Sequence, residues 1–436
     1  MSDRSTDEEH PGGFPVLTVL ALMAGIFAVG SEELVVSPLL VNMADSFGAT
    51  VALMALSVSV YGIGTAVGAL LFAPLGDRVS RRLSLVVGMV MFVLGTILCA
   101  SATGPGMFFA GRVLAGLATG AFVPTAYAFV GDRIPYRHRA KAMGILVSSW
   151  SLSLVLGVPM GSFVGEWAGW RWTFGLLAIL GALVVFVLLL VGGGKPAGGG
   201  ATASEEAAEP AERGWVRSTA QAFRAPRVSV YVLATFLNMF AFYGMYTFLG
   251  SALQYRFGSG SSLTGVMILL YGLGFATSFV TGRWADELGK EKVLVALLAG
   301  LVPALVAIPL VTGWTALLVV CLFLWGAMQS LVVTLLSTLL SECSPQHRGA
   351  ILAFYSLATN LGVALGAALL GPLFTAYGFT AVGCVCAGIT LIASGLSGWV
   401  YRRRHGGSPG VRGAGEGGAD KDKDKAHEAR VAAHED

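Results

Sequence analysis

Long apolar stretches alternate with short polar ones along the whole chain. Twelve apolar runs stand out, at about 15–38, 50–74, 83–102, 105–130, 142–165, 172–192, 228–253, 261–282, 292–312, 314–340, 350–374 and 379–401. Each is near the roughly 20 residues that a helix needs to cross a bilayer's hydrocarbon core. The pattern predicts an all-α polytopic membrane protein. An even number of crossings puts both termini on one side. The basic residues choose that side, because short cytoplasmic loops collect Lys and Arg. Arg78, Arg81 and Arg82 fall between runs two and three; Arg133, Arg137, Arg139 and Lys141 between four and five. Arg283, Lys290 and Lys292 fall between eight and nine, and Arg402, Arg403 and Arg404 close the last run. On the other side only Arg171 and Arg256 are found. Both termini are therefore expected to be cytoplasmic, in a multi-pass protein of the cell membrane.

Composition agrees. Of 436 residues, 55% are hydrophobic and 12% charged, about half the charged share of a soluble domain. The net charge of +3 gives no reason to expect nucleic acid as a partner; the lipid bilayer is the expected surrounding. The five cysteines are scattered, mostly within apolar runs, and read as small core residues. None of the six histidines lies deep in an apolar run, so no intramembrane metal or histidine relay is expected. The first run lacks a nearby small-residue cleavage site and reads as a retained helix.

The chain divides into a tail at 1–14, a six-helix bundle at 15–192, a linker at 193–227, a second bundle at 228–401 and a tail at 402–436. The linker is rich in Gly, Ala and Glu and cannot bury a core; the final tail is a solvated, charged extension. The linker's GGGKP lacks both the following Ser or Thr and the preceding strand of a phosphate-binding loop. No ATP site or other cofactor is expected, so an ion gradient must supply the energy. The bundles repeat. A shift of 209 carries Asp77 and Arg81 onto Asp286 and Lys290, and a shift of 210 carries Gly116 onto Gly326. Duplicated bundles are how many secondary transporters are built, with substrate held at the midplane between them.

Three features need explanation beyond packing. The first is GSEELVVSP, Gly30 to Pro38, where Glu32 and Glu33 interrupt an apolar run. A charged carboxylate at mid-helix costs about 2.5–3.5 kcal/mol on insertion scales. The pair is tolerable near the interface, in a wet cavity, or with a proton bound. Adjacent residues point about 100° apart, so the two can hardly face one wall. They either mark the outer end of the first run or face a cavity. The second is Arg112 in the fourth run, which needs a partner or a wet pocket unless it snorkels outward. Under the shift of 210 its counterpart is Leu322, and that of Glu33 is Tyr243, so the ionisable set belongs to the first half. The third is the basic-loop cluster Asp77, Arg78, Arg81 and Arg82, matched by Gly282, Asp286, Gly289 and Lys290. It either only orients the chain or forms a charge latch on each half, with Asp77 at a helix N-terminus.

Gly116 and Gly120, then Gly157 and Gly161, recur at four-residue spacing and predict close helix contact. Pro159 predicts a kink in the fifth helix. In the second half, Asn238, Phe242, Tyr243, Tyr246, Gln329 and Asn360 offer aromatic walls with amide groups, which suit a neutral aromatic small molecule. Each aromatic can equally be plain core.

Several of these stretches resemble the major facilitator superfamily. APLGDRVSRR, Ala73 to Arg82, is similar to its loop between helices two and three, departing at Ala73 and Ser80. GRWADELGK, Gly282 to Lys290, is a second copy with Glu287 in place of the arginine. GRVLAGLATGA, Gly111 to Ala121, resembles its fourth-helix motif, while PYRHRAKAMG and LGVPMG resemble its twelve-helix drug:proton antiporters. Within the group the nearest resemblance is to actinomycete chloramphenicol-resistance exporters. The resemblance implies twelve helices in two pseudo-symmetric halves and proton-coupled efflux of a small amphipathic antibiotic, chloramphenicol above all, by alternating access of a single chain. It aligns Glu33 with the family's first-helix glutamate and implies a proton-coupling role for Glu33, with Arg112 tuning it and Glu32 near by. An exporter of sugars or purines shares these motifs. A channel or sensor fits the duplication poorly. An enzyme is not expected, since no HExxH, no GxSxG and no intramembrane His/Asp cluster occurs.

Overall fold

The computed structural model describes residues 16–72, 80–190, 226–258, 260–277, 287–344 and 347–405. Asp77, Arg78, Gly282 and Asp286 lie outside these, as do the expected tails and linker apart from 226–227 and 402–405. Among the described residues every regular element is helical.

The first crossing is a broken helix, α1 (Val16–Leu34) and α2 (Val36–Phe47), interrupted at Val35. It runs on well past residue 38, where the apolar pattern had placed its end. Pro38 has no N–H to offer the carbonyl of Leu34. The hydroxyl of Tyr246 donates to that carbonyl instead, at 3.2 Å, so the chain passes the proline and continues. Gly48, with φ +59°, ends α2 and donates back to Ala44 and Asp45. Because of this extension, Glu32 and Glu33 sit beside the break in mid-crossing and do not mark an outer end.

The other first-half crossings are α3 (Val51–Phe72), α4 (Arg81–Ala100), α5 (Pro105–Arg133), the pair α6 (Tyr136–Leu152) and α7 (Val158–Val164), and α8 (Trp170–Leu190). Just before Pro159, where a kink is expected, the helix makes a π turn over Ser153–Gly157, in which the Val158 N–H bonds to the carbonyl of Ser153. The wider turn accommodates the residue without an N–H. The second half has α9 (Pro226–Phe257), α10 (Ser261–Ala276), α11 (Lys290–Leu310), α12 (Thr315–Cys343) and α13 (Arg348–His405), which turns at Gly378 (φ +74°) and supplies two crossings. The described residues thus hold twelve crossings in two halves.

The repeat is visible in how closely backbones approach. A Cβ on Gly116 would lie 2.3 Å from the carbonyl oxygen of Tyr61, and one on Gly326 would lie 2.0 Å from that of Tyr271. Both contacts are related by the same shift of 210. Gly64 and Gly274 repeat the relation against Val113 and Phe323. Only glycine lets α5 approach α3, and α12 approach α10, this closely.

The halves meet through α2 on α9, α7 on α10 and α3 on α13. Ser37 Oγ donates to the carbonyl of Tyr246 at 2.5 Å, and Gln254 Nε2 donates to that of Pro38 at 2.5 Å. Ser261 Oγ donates to the carbonyl of Ser162 at 2.8 Å, while Glu166 Oε2 accepts the backbone N–H of Ser262 at 2.7 Å. The contacts at Pro38, Ser162 and Glu166 lie toward the face opposite the one bearing the basic loops.

Candidate functional site

Glu32 and Arg112 are both fully buried. The guanidinium Nη1 lies 2.5 Å from Glu32 Oε1 and donates to the Glu32 main-chain carbonyl at 3.0 Å, while Nε donates to the carbonyl of Ser57 at 3.3 Å. The carboxylate contact is a charge contact, not an aligned hydrogen bond: neither oxygen of Glu32 has a hydrogen-bond partner among the described residues. The Arg112 Cζ also stands 4.1 Å from the Tyr61 ring centroid, and the Tyr61 hydroxyl is 2.7 Å from Thr119 Oγ1. Arg112 is thus enclosed by α1, α3 and its own helix, and the outward snorkel is excluded. It pairs with Glu32, and its charge also acts on Glu33, the residue that the family resemblance implies it tunes. A buried, charge-compensated arginine like this fixes α5 against the broken helix.

Glu33 points elsewhere, as the angular offset requires. Its Oε1 accepts a hydrogen bond from the hydroxyl of Tyr243, on α9 in the other half. Tyr243 is the counterpart of Glu33 under the shift of 210, so the two equivalent positions touch. Beside them the rings of Phe242 and Tyr243 lie edge to face at 4.9 Å. Phe242 is followed by Tyr246 at 5.5 Å, Trp325 at 5.7 Å and Tyr271 at 5.9 Å, and Tyr271 and Trp325 stand 4.7 Å apart. Such rings form a wall that can take another aromatic face.

The remaining residues singled out from sequence divide clearly. Asn238 and Gln329 are each 2% exposed, and their amide nitrogens have no hydrogen-bond partner among the described residues. Asn360 instead donates to Ser356 of its own helix at 2.8 Å. Gly157 faces Ser31 and Gly161 faces Val35, so both let α6–α7 press on the broken helix; Gly120 does the same for α5 on α3, against Thr65. Arg81 pairs with Asp132 at 3.1 Å, and Lys290 pairs with Glu342 at 2.5 Å, again related by the repeat and each within one half. Arg82 donates to the carbonyls of Leu188 and Leu189 at the end of α8. Gly289, with φ +91°, precedes α11.

Tyr61, Tyr271, Trp325 and Glu166 were not singled out from sequence. The first two are 210 apart and carry the glycine contacts, so the repeat itself held that signal. Glu166 reads in sequence as an ordinary loop acid, and its partner lies in the other half.

Residues 21–280 and 231–432 match the family model described as Major Facilitator Superfamily. The chain belongs to that superfamily. It is 50% identical over 402 residues to the uncharacterized MFS-type transporter YwfA of Bacillus subtilis strain 168, covering 92% of this chain and 96% of that protein. It is 29% identical over 371 residues to a chloramphenicol resistance protein of Streptomyces lividans, covering 80% and 87%. Among solved structures, a bacterial homologue of the human lysosomal transporter Spinster, inward-facing and unoccupied, matches with a TM-score of 0.69 at 18% identity, over 90% of this chain and 98% of that one. That last likeness concerns the fold alone. The chain is a multi-pass major facilitator transporter, a class whose members are in general carriers and not enzymes.

Proposed function

We propose that this transporter exports small, neutral, amphipathic aromatic compounds, chloramphenicol among them, in exchange for protons, from a cell membrane in which both termini are cytoplasmic. Such export confers resistance to the compound. The likeness to a chloramphenicol resistance protein supports the substrate class, and the single observation that carries the mechanism is Glu33. It is a carboxyl group at the junction of the two halves, beside an aromatic wall and apart from the guanidinium, which is taken by Glu32. A carboxyl group placed there can take up a proton and give it back as its surroundings change, which is what an exchange site must do. Glu32 and Arg112 serve as the fixed pair beside it. The halves rock about the site, driven by the proton gradient; no cofactor takes part and a single chain suffices.

The test uses inverted membrane vesicles with an acid interior. Wild-type vesicles should accumulate chloramphenicol while losing the gradient, and Glu33→Gln should abolish the coupled proton loss. Uptake with undiminished proton loss in Glu33→Gln would move the carrier role to another group. No uptake, with a sugar or purine dissipating the gradient instead, would overturn the substrate assignment.

A further inference from the structure

We infer that the Tyr243 hydroxyl is a built-in stand-in for a hydroxyl of the substrate, so that the transporter selects aromatic compounds carrying a hydroxyl donor. This deepens the proposed exchange reaction and rests on that reading of Glu33.

The argument begins with position. Two residues related by an internal repeat can touch only where the repeat's pseudo-twofold axis passes between them. Glu33 and Tyr243 are such a pair, and they touch through their polar ends. The axis between two bundles runs through the centre of the transporter, where substrates are held. The hydroxyl of Tyr243 therefore occupies the centre of the expected substrate space, and it does so from the half that carries no ionisable partner of its own.

The surroundings define what could replace it. The groups that face Glu33 are Tyr243 and Tyr246 on α9, Tyr61 on α3, Arg112 on α5 and its neighbour Glu32. Arg112 is committed through Nη1 and Nε to Glu32 and two carbonyls and through its face to Tyr61, while its Nη2 has no hydrogen-bond partner among the described residues. The Tyr246 hydroxyl is committed to the carbonyl of Leu34, and that of Tyr61 to Thr119. Tyr243 alone directs its donor at Glu33. Its ring meets the edge of Phe242, the start of the wall that continues to Tyr271 and Trp325. A substrate with an aromatic ring and a hydroxyl reproduces both halves of that arrangement: ring on ring, O–H on carboxylate. The Tyr271 hydroxyl, the Gln329 amide nitrogen and the Asn238 amide nitrogen are buried without hydrogen-bond partners among the described residues. Buried polar groups left in that condition are costly, and a ligand with acceptor atoms relieves the cost.

Exchange follows from the geometry. The ionised Glu33 carboxyl is the form that best holds a hydroxyl donor at Oε1, from Tyr243 or from the substrate. Substrate binding displaces the Tyr243 O–H from that oxygen and, on a protonated carrier, sends the Glu33 proton to solvent. No covalent bond changes except the O–H bond of the carboxyl group.

The test uses the full chain in detergent, with chloramphenicol, which has two hydroxyls, and its diacetate, which has none. Chloramphenicol should bind with release of protons into unbuffered solution, and the diacetate should bind at least tenfold more weakly. Tyr243→Phe keeps the ring and removes the competing donor, so it should tighten chloramphenicol binding about tenfold, the scale of one hydrogen bond to a charged group. A tyrosine with a merely structural role would give weaker or unchanged binding, and that result, or equal affinity for the diacetate, overturns the inference. Should chloramphenicol not bind the wild type at all, the substrate assignment has failed separately. An infrared pH titration of the Glu33 carboxyl without drug then decides: a midpoint moved by Tyr243→Phe upholds the link between the two groups, and an unmoved one ends it.

Discussion

Removing the guanidinium of Arg112 should destabilise the fold far more than removing any surface charge. In Arg112→Met the side chain keeps its apolar length but loses the 2.5 Å contact with Glu32, two hydrogen bonds to the Ser57 and Glu32 carbonyls, and the ring face of Tyr61. Glu32, fully buried, is left with an uncompensated carboxylate. Breaking a buried pair from one side costs about 3–5 kcal/mol, because the stranded charge, and not the lost attraction, dominates. Arg112→Lys keeps the charge but replaces the fork with a point donor that cannot serve three oxygens at once, so an intermediate loss of about 2 kcal/mol is expected. The decisive variant is the double one. Adding Glu32→Gln to Arg112→Met removes the stranded charge and should recover at least about 2 kcal/mol, a coupling of the size found for residues in contact. The assay is reversible unfolding in mixed micelles, followed by the fluorescence of the nine tryptophans as SDS is added. Arg112→Met within about 1 kcal/mol of wild type, or a double variant no better than the single one, would refute the claim that this pair is a buried structural unit.

Two further predictions follow from the contacts between helices. Gly116→Val and Gly326→Val each push a side chain onto a backbone carbonyl of the facing helix, so both should abolish the folded peak in fluorescence-detected size exclusion. Gly388→Val, where a Cβ meets nothing within 4 Å, should leave that peak intact; loss of it would show that any added bulk is tolerated equally badly. Glu166→Ala removes the carboxylate that caps the Ser262 N–H, a contact across the halves worth about 0.5–2 kcal/mol. Spin labels at Trp167→Cys and Trp314→Cys, both highly exposed and one in each half, should then report a longer-distance population increased several-fold; an unchanged distribution would show that this cap does not hold the face shut.

Most of the architecture was legible because a bilayer leaves little choice. A run of about 20 apolar residues can satisfy its backbone there only as a helix, so hydropathy alone places the crossings. The apolar pattern does not show that the first crossing runs on past Pro38, because the donor that lets the helix continue belongs to Tyr246, 208 residues away. The π turn before Pro159 was not legible either, because it is a choice of hydrogen-bond partner within the same residues and no residue type announces it. At the site, the offset between Glu32 and Glu33 correctly separated their directions. Which of them takes Arg112 was not legible, because it depends on how α5 rotates against α1, and the glycine stripe that fixes this rotation faces α3.

The repeat preserves backbone geometry while letting side-chain chemistry diverge. Gly116 and Gly326 keep the same approach to Tyr61 and Tyr271, so the helix pairs α3–α5 and α10–α12 have the same spacing. Inside that common frame Tyr61 covers a guanidinium, while its counterpart Tyr271 covers the indole of Trp325. Arg112 has become Leu322, and Glu33 faces the tyrosine that occupies its own equivalent position. One half therefore carries the charge and the other carries the aromatic surface, and their contact lies on the axis relating them. A proton-exchanging transporter needs this division. If both halves held a buried carboxyl at the axis, two like charges would meet there whenever both lost their protons, and the halves would repel at the point where they must close. Setting a neutral hydroxyl opposite a single carboxyl allows closure in either protonation state, because the hydroxyl donates to the charged form and accepts from the neutral one.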